Sequence, residues 1–188
     1  MTKLINFCGG SDCANPREDS WPVYLSRLLK YEIIGLGKNG SAYEYAIESF
    51  NPKAEITIFC WTEPHRIHHP TEAINLASVE KYRHENKIYA AAHEYYKHLH
   101  SFEYDLKRRD RDFYWFDQTV LKNYTKRGKK VIHLFSYHNC VYAFKNGITI
   151  RKPLDSLYVE PSSPKKYANH MTRESNIALA KSLYKLLT

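Results

Sequence analysis

Ser11 follows Gly9-Gly10 at the end of a short apolar run, Leu4-Ile5-Asn6-Phe7-Cys8, and precedes Asp12-Cys13. Near the other end of the chain His170 stands in Asn169-His170-Met171-Thr172, just ahead of a helix-capping threonine. A serine on a glycine turn at the carboxyl end of a strand is exposed where open α/β sheets do their chemistry. A histidine at a second loop-to-helix junction can reach the same edge and take the serine's proton. The pair has the make-up of a serine hydrolase. Gly-Gly-Ser without a lysine is no phosphate loop. A turn-capping serine and a solvent-facing junction histidine are the plainer alternatives.

These residues need elements to hold them. Residues 3–8 read as a buried strand. Pro22, Val23, Leu25, Leu28 and Leu29 then give a helix one apolar face up to Lys30. Residues 31–35 make a second strand, ending in the loop Gly37-Lys38-Asn39-Gly40-Ser41, and a short helix over 42–50 stops at Asn51-Pro52. The β-branched run 55–61 is a third strand. Strand and helix alternate, which predicts a parallel sheet covered on both faces. Residues 71–128 contain no proline and many tyrosines, predicting an insert of two or three helices that forms a cap or a partner surface. Residues 130–135 are a fourth strand. Asn146-Gly147 suggests a hairpin over 142–150, and Thr172 caps a last helix carrying Ile177, Ala180, Leu183 and Leu187. The expectation is one three-layer, flavodoxin-like α/β domain over 1–188, with a sheet of four or five strands.

The blocks at both ends and along the first three strands resemble the SGNH (GDSL-like) hydrolases. In that family a Gly-Asp-Ser turn holds the nucleophile, matched by Gly9-Gly10-Ser11. A second block gives a glycine N–H to the oxyanion hole, matched by Gly40 in Asn39-Gly40-Ser41. A C-terminal block holds the general base, matched by His170. The resemblance implies esterase activity on an O-acyl ester of a carbohydrate, lipid or small molecule. It implies no cofactor, an acyl-serine intermediate, and an oxyanion hole from Ser11 and Gly40. The departures lie elsewhere. Trp61-Thr62-Glu63-Pro64 replaces the block that supplies an asparagine, so Thr62 is the substitute donor and Glu63 stands near the asparagine's place. Tyr167 occupies the usual position of the triad aspartate. Asp12, Glu63 and Asn169, with Glu160 and Asp155, are the candidates to contact substrate or orient His170. A Gly40 needed only for a left-handed turn accounts for that residue equally well.

The remaining patterns are less specific. His65-Arg66-Ile67-His68-His69 has no cysteine or carboxylate at a metal-binding spacing, so no metal is expected, and Glu63 is placed to pair with Arg66. Cysteines 8, 13, 60 and 140 fit no zinc pattern; Cys8 and Cys60 fall in buried strands as reduced thiols. Of the net charge of +8, residues 97–130 supply +5 through ten Lys/Arg and five Asp/Glu. A solvated mixed-charge helical face explains this stretch, and contact with a polyanion or nucleic acid is the alternative. Tyr95-Tyr96 and Tyr114-Trp115-Phe116 read as helix-packing aromatics, and Trp61 as core. Hydrophobic residues make up 43%, with no long apolar segment and no signal-peptide pattern after Lys3, which implies a cytoplasmic protein without a membrane span. From another class of function, the rival is a binding or structural protein that kept the fold but not the activity.

Overall fold

The computed structural model describes residues 2–157 and 171–188. Five strands form one parallel sheet: β1 (Leu4–Gly9), β2 (Glu32–Gly35), β3 (Ile56–Trp61), β4 (Lys130–Phe135) and β5 (Ile148–Thr149), in the order β2-β1-β3-β4-β5. This is the flavodoxin-like order, and chain direction across the sheet reverses between β1 and β3.

The two-residue period of the strands sorts their side chains into two cores. Ile5, Phe7, Ile58, Cys60, Ile132 and Leu134 face α1 (Trp21–Leu29) and α7 (Arg173–Leu187), which bring Trp21, Leu25, Ala180, Leu183 and Leu187. Cys8, Phe59, Trp61, Val131 and Phe135 face α2 (Tyr43–Glu48), α5 (Phe102–Phe116) and α6 (Lys122–Lys126), which add Tyr43, Phe113, Phe116 and Tyr124. β1, β3 and β4 are buried along almost their whole length. A strand covered on both faces reads as a near-continuous apolar run. The α/β fold and parallel sheet are as expected, with five strands.

Three details differ from the sequence reading. The insert holds four helices: α3 (Leu76–Tyr82), α4 (Lys87–His98), α5 and α6, with a π-turn over Asp117–Leu121 joining the last two. Only α3 and α4 stand off the sheet, around a small cluster of Ile74, Val79, Tyr89 and Ala92; α5 and α6 cover the sheet itself. Second, residues 142–150 form no hairpin. Asp117 captures the Asn-Gly segment: its carboxylate accepts from Lys145 N (3.0 Å), Asn146 N (3.1 Å) and Asn146 Nδ2 (3.0 Å). The chain then leaves as β5, parallel to β4. Third, Phe116 is buried while Tyr114 and Trp115 are more than half exposed, since consecutive helical residues point about 100° apart.

The basic stretch is also less solvated than its composition suggests. Asp105, Arg109 and Asp117 are buried. Arg109 donates to Asp110 (2.7 Å) and to the Cys140 carbonyl (3.1 Å), and Arg108 lies 3.6 Å from both Glu44 and Asp105. Among the described residues no helix is long and apolar enough to cross a membrane.

Candidate functional site

The carboxyl ends of β1, β3 and β4 meet at one edge of the sheet. β1 ends at Gly9, and residues 11–13 turn as a short 3-10 helix, closed by Cys13 N to Gly10 O (3.3 Å) and Ala14 N to Ser11 O (3.3 Å). The turn carries two nucleophile-type side chains and treats them differently. Cys13 is buried, with its thiol toward the Gly10 carbonyl (3.6 Å). Ser11 is half-buried and lines a cavity of about 370 Å³.

The loop after β2 is stitched to this turn. Lys38 N donates to Gly9 O (2.9 Å), Gly37 N to Cys13 O (3.1 Å) and Ser41 Oγ to Gly9 O (3.1 Å). Ser41 N to Lys38 O (3.3 Å) closes a β-turn with Gly40 at φ +69° in its third position, where a left-handed residue is required. A Cβ on Gly40 would also lie 2.5 Å from the Ala73 Cβ. Glycine here therefore has a structural reason independent of chemistry. Asn39, in the same turn, lines the cavity beside Ser11. Among the described residues the N–H groups of Ser11 and Gly40 donate to no protein acceptor.

The segment after β3 is committed to other partners. Thr62 is buried and its hydroxyl donates to Ser41 O (3.2 Å). Glu63 Oε2 takes the Arg66 guanidinium through Nε (3.1 Å) and Nη2 (3.0 Å), the pairing expected from the sequence. The Thr62 methyl also explains the first block's departure. A Cβ on Gly10 would meet Thr62 Cγ2 at 2.5 Å, so the aspartate found there in the family has no room beside this threonine.

Asp12 sits on the edge between β1 and β4. Its carboxylate accepts from Ser136 Oγ (2.5 Å), and its carbonyl from Trp21 Nε1 (2.7 Å). Ser136, one residue past β4, also gives its carbonyl to Asp155 N (2.9 Å). Asp155 Oδ1 is buried and, among the described residues, has no hydrogen-bond partner. Ser136 was missed from sequence, although it occupies the strand-end position where such folds place functional groups.

Tyr167, Asn169, His170 and Glu160 lie outside the described residues. Met171, the next residue in the chain after His170, is buried in the core and lines the same cavity as Ser11. Thr172 caps α7 by accepting from Ser175 N (3.1 Å). Asn176 Oδ1 accepts from Trp21 N (2.9 Å), and its amide donates to Thr172 O (2.9 Å). Asn176 thus ties the start of α7 to the start of α1 beside the cavity, a role that a single amide on a helix face does not announce.

No family model matches the sequence, and no curated protein matches it. A solved structure does. Over 98% of this chain and 99% of the other it superposes with a TM-score of 0.51 at 12% identity. That structure belongs to a G-D-S-L family protein of Desulfitobacterium hafniense DCB-2, to which a lipolytic role is ascribed. The fold is that of the SGNH (GDSL-like) hydrolases. On this fold Ser11, the Gly40 turn, Thr62-Glu63 and Ser136 all lie beyond strand carboxyl ends.

Proposed function

We propose that the protein is a serine esterase of the SGNH type acting on a short O-acyl ester of a polar molecule. The supporting observation is that Ser11 and Met171, the residue next to His170, line one cavity, with the Gly40 turn bonded to the nucleophile turn. In this reading Ser11 Oγ bonds to the ester carbonyl carbon while its proton passes to His170. The N–H groups of Ser11 and Gly40 hold the oxyanion. The C–O bond to the alcohol then breaks, His170 returns the proton to the leaving oxygen, and an acyl-serine remains. Water adds to the acyl carbon with its proton going to His170. Ser11 leaves protonated and the carboxylic acid departs.

Asp155 is the carboxylate we assign to orient His170, because its buried Oδ1 has no hydrogen-bond partner among the described residues while Asp12 is bonded to Ser136 and Glu63 to Arg66. The polar lining favours a short acyl group over a fatty chain: Asn15, Asn39 and Asn176 face Ala14, Pro16 and Met171 as the apolar contributors. The four cysteines are free and buried, which suits a compartment that keeps thiols reduced, such as the cytoplasm.

One observation favours the rival reading, a non-catalytic binding protein on the same fold. Neither the Thr62 nor the Glu63 side chain offers an oxyanion the donor that the family's asparagine amide would, and loss of one such donor typically costs about 10²–10³ in rate. Hydrolysis of p-nitrophenyl acetate and butyrate by wild type, Ser11→Ala and His170→Ala separates the two. The esterase reading expects both variants to lose activity by at least about 10³. Equal turnover in wild type and Ser11→Ala supports the binding protein.

A further inference from the structure

The cavity that holds Ser11 also holds two arginines, Arg17 on the loop before α1 and Arg173 at the first residue of α7. Among the described residues six arginines form ion pairs with carboxylates: Arg27, Arg66, Arg83, Arg108, Arg109 and Arg111. Four do not, and two of those four line this one cavity. Their positions are built. Asn15 Oδ1 accepts from both Arg17 N (3.0 Å) and Arg17 Nε (3.2 Å), which fixes the base of that side chain and leaves its terminal nitrogens for a ligand. Ser20 Oγ bonds the Asn15 and Arg17 carbonyls (2.7 Å each), pinning the loop. The backbone that carries Arg173 is fixed by the Thr172 cap and the Asn176 link to α1.

Two aspartates, Asp12 and Asp19, line the same cavity. The Asp12 carboxylate accepts from Ser136 and is held on the β4 side, while Asp19 forms no ion pair with either arginine among the described residues. Asp19 and Arg173 also line a second cavity of about 400 Å³ beside Tyr24 and Ile177, so the groove continues from Ser11 along α1 and α7. Guanidinium groups recognise carboxylate, sulfate and phosphate through a planar fork of N–H donors.

We infer that the ester cleaved at Ser11 carries an anionic group, a carboxylate, sulfate or phosphate, held between Arg17 and Arg173. This rests on the esterase reading for its chemistry, though not for its binding. The test compares 4-acetoxybenzoate with its neutral methyl ester, each rate divided by that for hydroxide in solution. A second pair, p-nitrophenyl hemisuccinate and p-nitrophenyl butyrate, moves the charge to the acyl side. The expected preference in kcat/KM for one anionic member is about tenfold at low salt, as charge-assisted contacts at an exposed site are partly screened. Arg17→Gln and Arg173→Gln bring that ratio to about one. Arg127→Gln, at the far end of the sheet just before β4, leaves it unchanged. A normalised wild-type ratio near one in both pairs overturns the inference, as does a preference that survives both arginine substitutions. Should no ester be cleaved, the esterase reading fails by itself. Binding of 4-hydroxybenzoate to wild type and Ser11→Ala, read by calorimetry, then decides: binding lost in the arginine variants upholds the anion site, and no binding in wild type refutes it.

Discussion

Replacing Gly10 by alanine tests how the nucleophile turn is seated. Gly10 has φ −85° and ψ −156°, extended backbone at the edge of the β region with negative φ, so the cost of a side chain comes mainly from contact. The added methyl would lie 2.5 Å from Thr62 Cγ2, and Thr62 is β-branched, buried and bonded through its hydroxyl to Ser41. Rotating it away would break that bond. Overpacking of this kind costs about 2 kcal/mol. Thr62→Ser removes the methyl and keeps the hydroxyl, at about 1 kcal/mol. In the double variant the alanine methyl occupies the vacated space, so about 1 kcal/mol is expected in place of the additive 3, a coupling of about 2 kcal/mol. Urea unfolding of the four proteins measures the cycle. Ser11 is the next residue, so esterase activity is expected to fall by at least about tenfold in Gly10→Ala and to recover in the double variant. A double variant destabilised by the full sum would refute the contact.

Two further outcomes concern polar groups in the core. His133 Nδ1 accepts from Trp61 Nε1 (3.1 Å), so Nε2 carries the hydrogen and donates to Asn146 O (3.0 Å); burial pushes its pKa down to about 4. An imidazole depressed from 6.5 binds its proton in the unfolded chain first, so stability is full above pH 6.5 and declines down to about pH 4, by about 3 kcal/mol in all. His133→Gln keeps both hydrogen bonds, and chemical denaturation across that pH range should show it losing about that much less than wild type. Asp117→Ala leaves the Lys145 and Asn146 N–H groups without their acceptor, which should cost about 3 kcal/mol. Hydrogen exchange should accelerate at residues 145–149 while β1 stays protected; equal exchange in the two segments would contradict the role given to this carboxylate.

The sheet was legible in the sequence for a physical reason. β1, β3 and β4 are covered on both faces and so appear as apolar runs, and Ser11 sits where the first run stops at glycine. The insert's aromatics were only half legible: Phe113 and Phe116 share the buried face of α5, whereas Tyr114 and Trp115 fall outside it by helical geometry alone. The Asn146-Gly147 hairpin failed because its competitor, the Asp117 carboxylate, comes from a different element. The same limit hid Ser136, Asn176 and the convergence of Arg17 and Arg173 on one cavity. Each acts through a partner far along the chain, and no local periodicity records such contacts.

The central claim is that Ser11 is a nucleophile, and its most direct test is covalent. Wild-type protein treated with a fluorophosphonate and digested should carry the phosphonyl adduct on the peptide containing Ser11. Labelling should vanish in Ser11→Ala and slow sharply in His170→Ala, because the serine proton then has no base. Wild-type protein that stays unlabelled, or a label that persists in Ser11→Ala, would contradict the account.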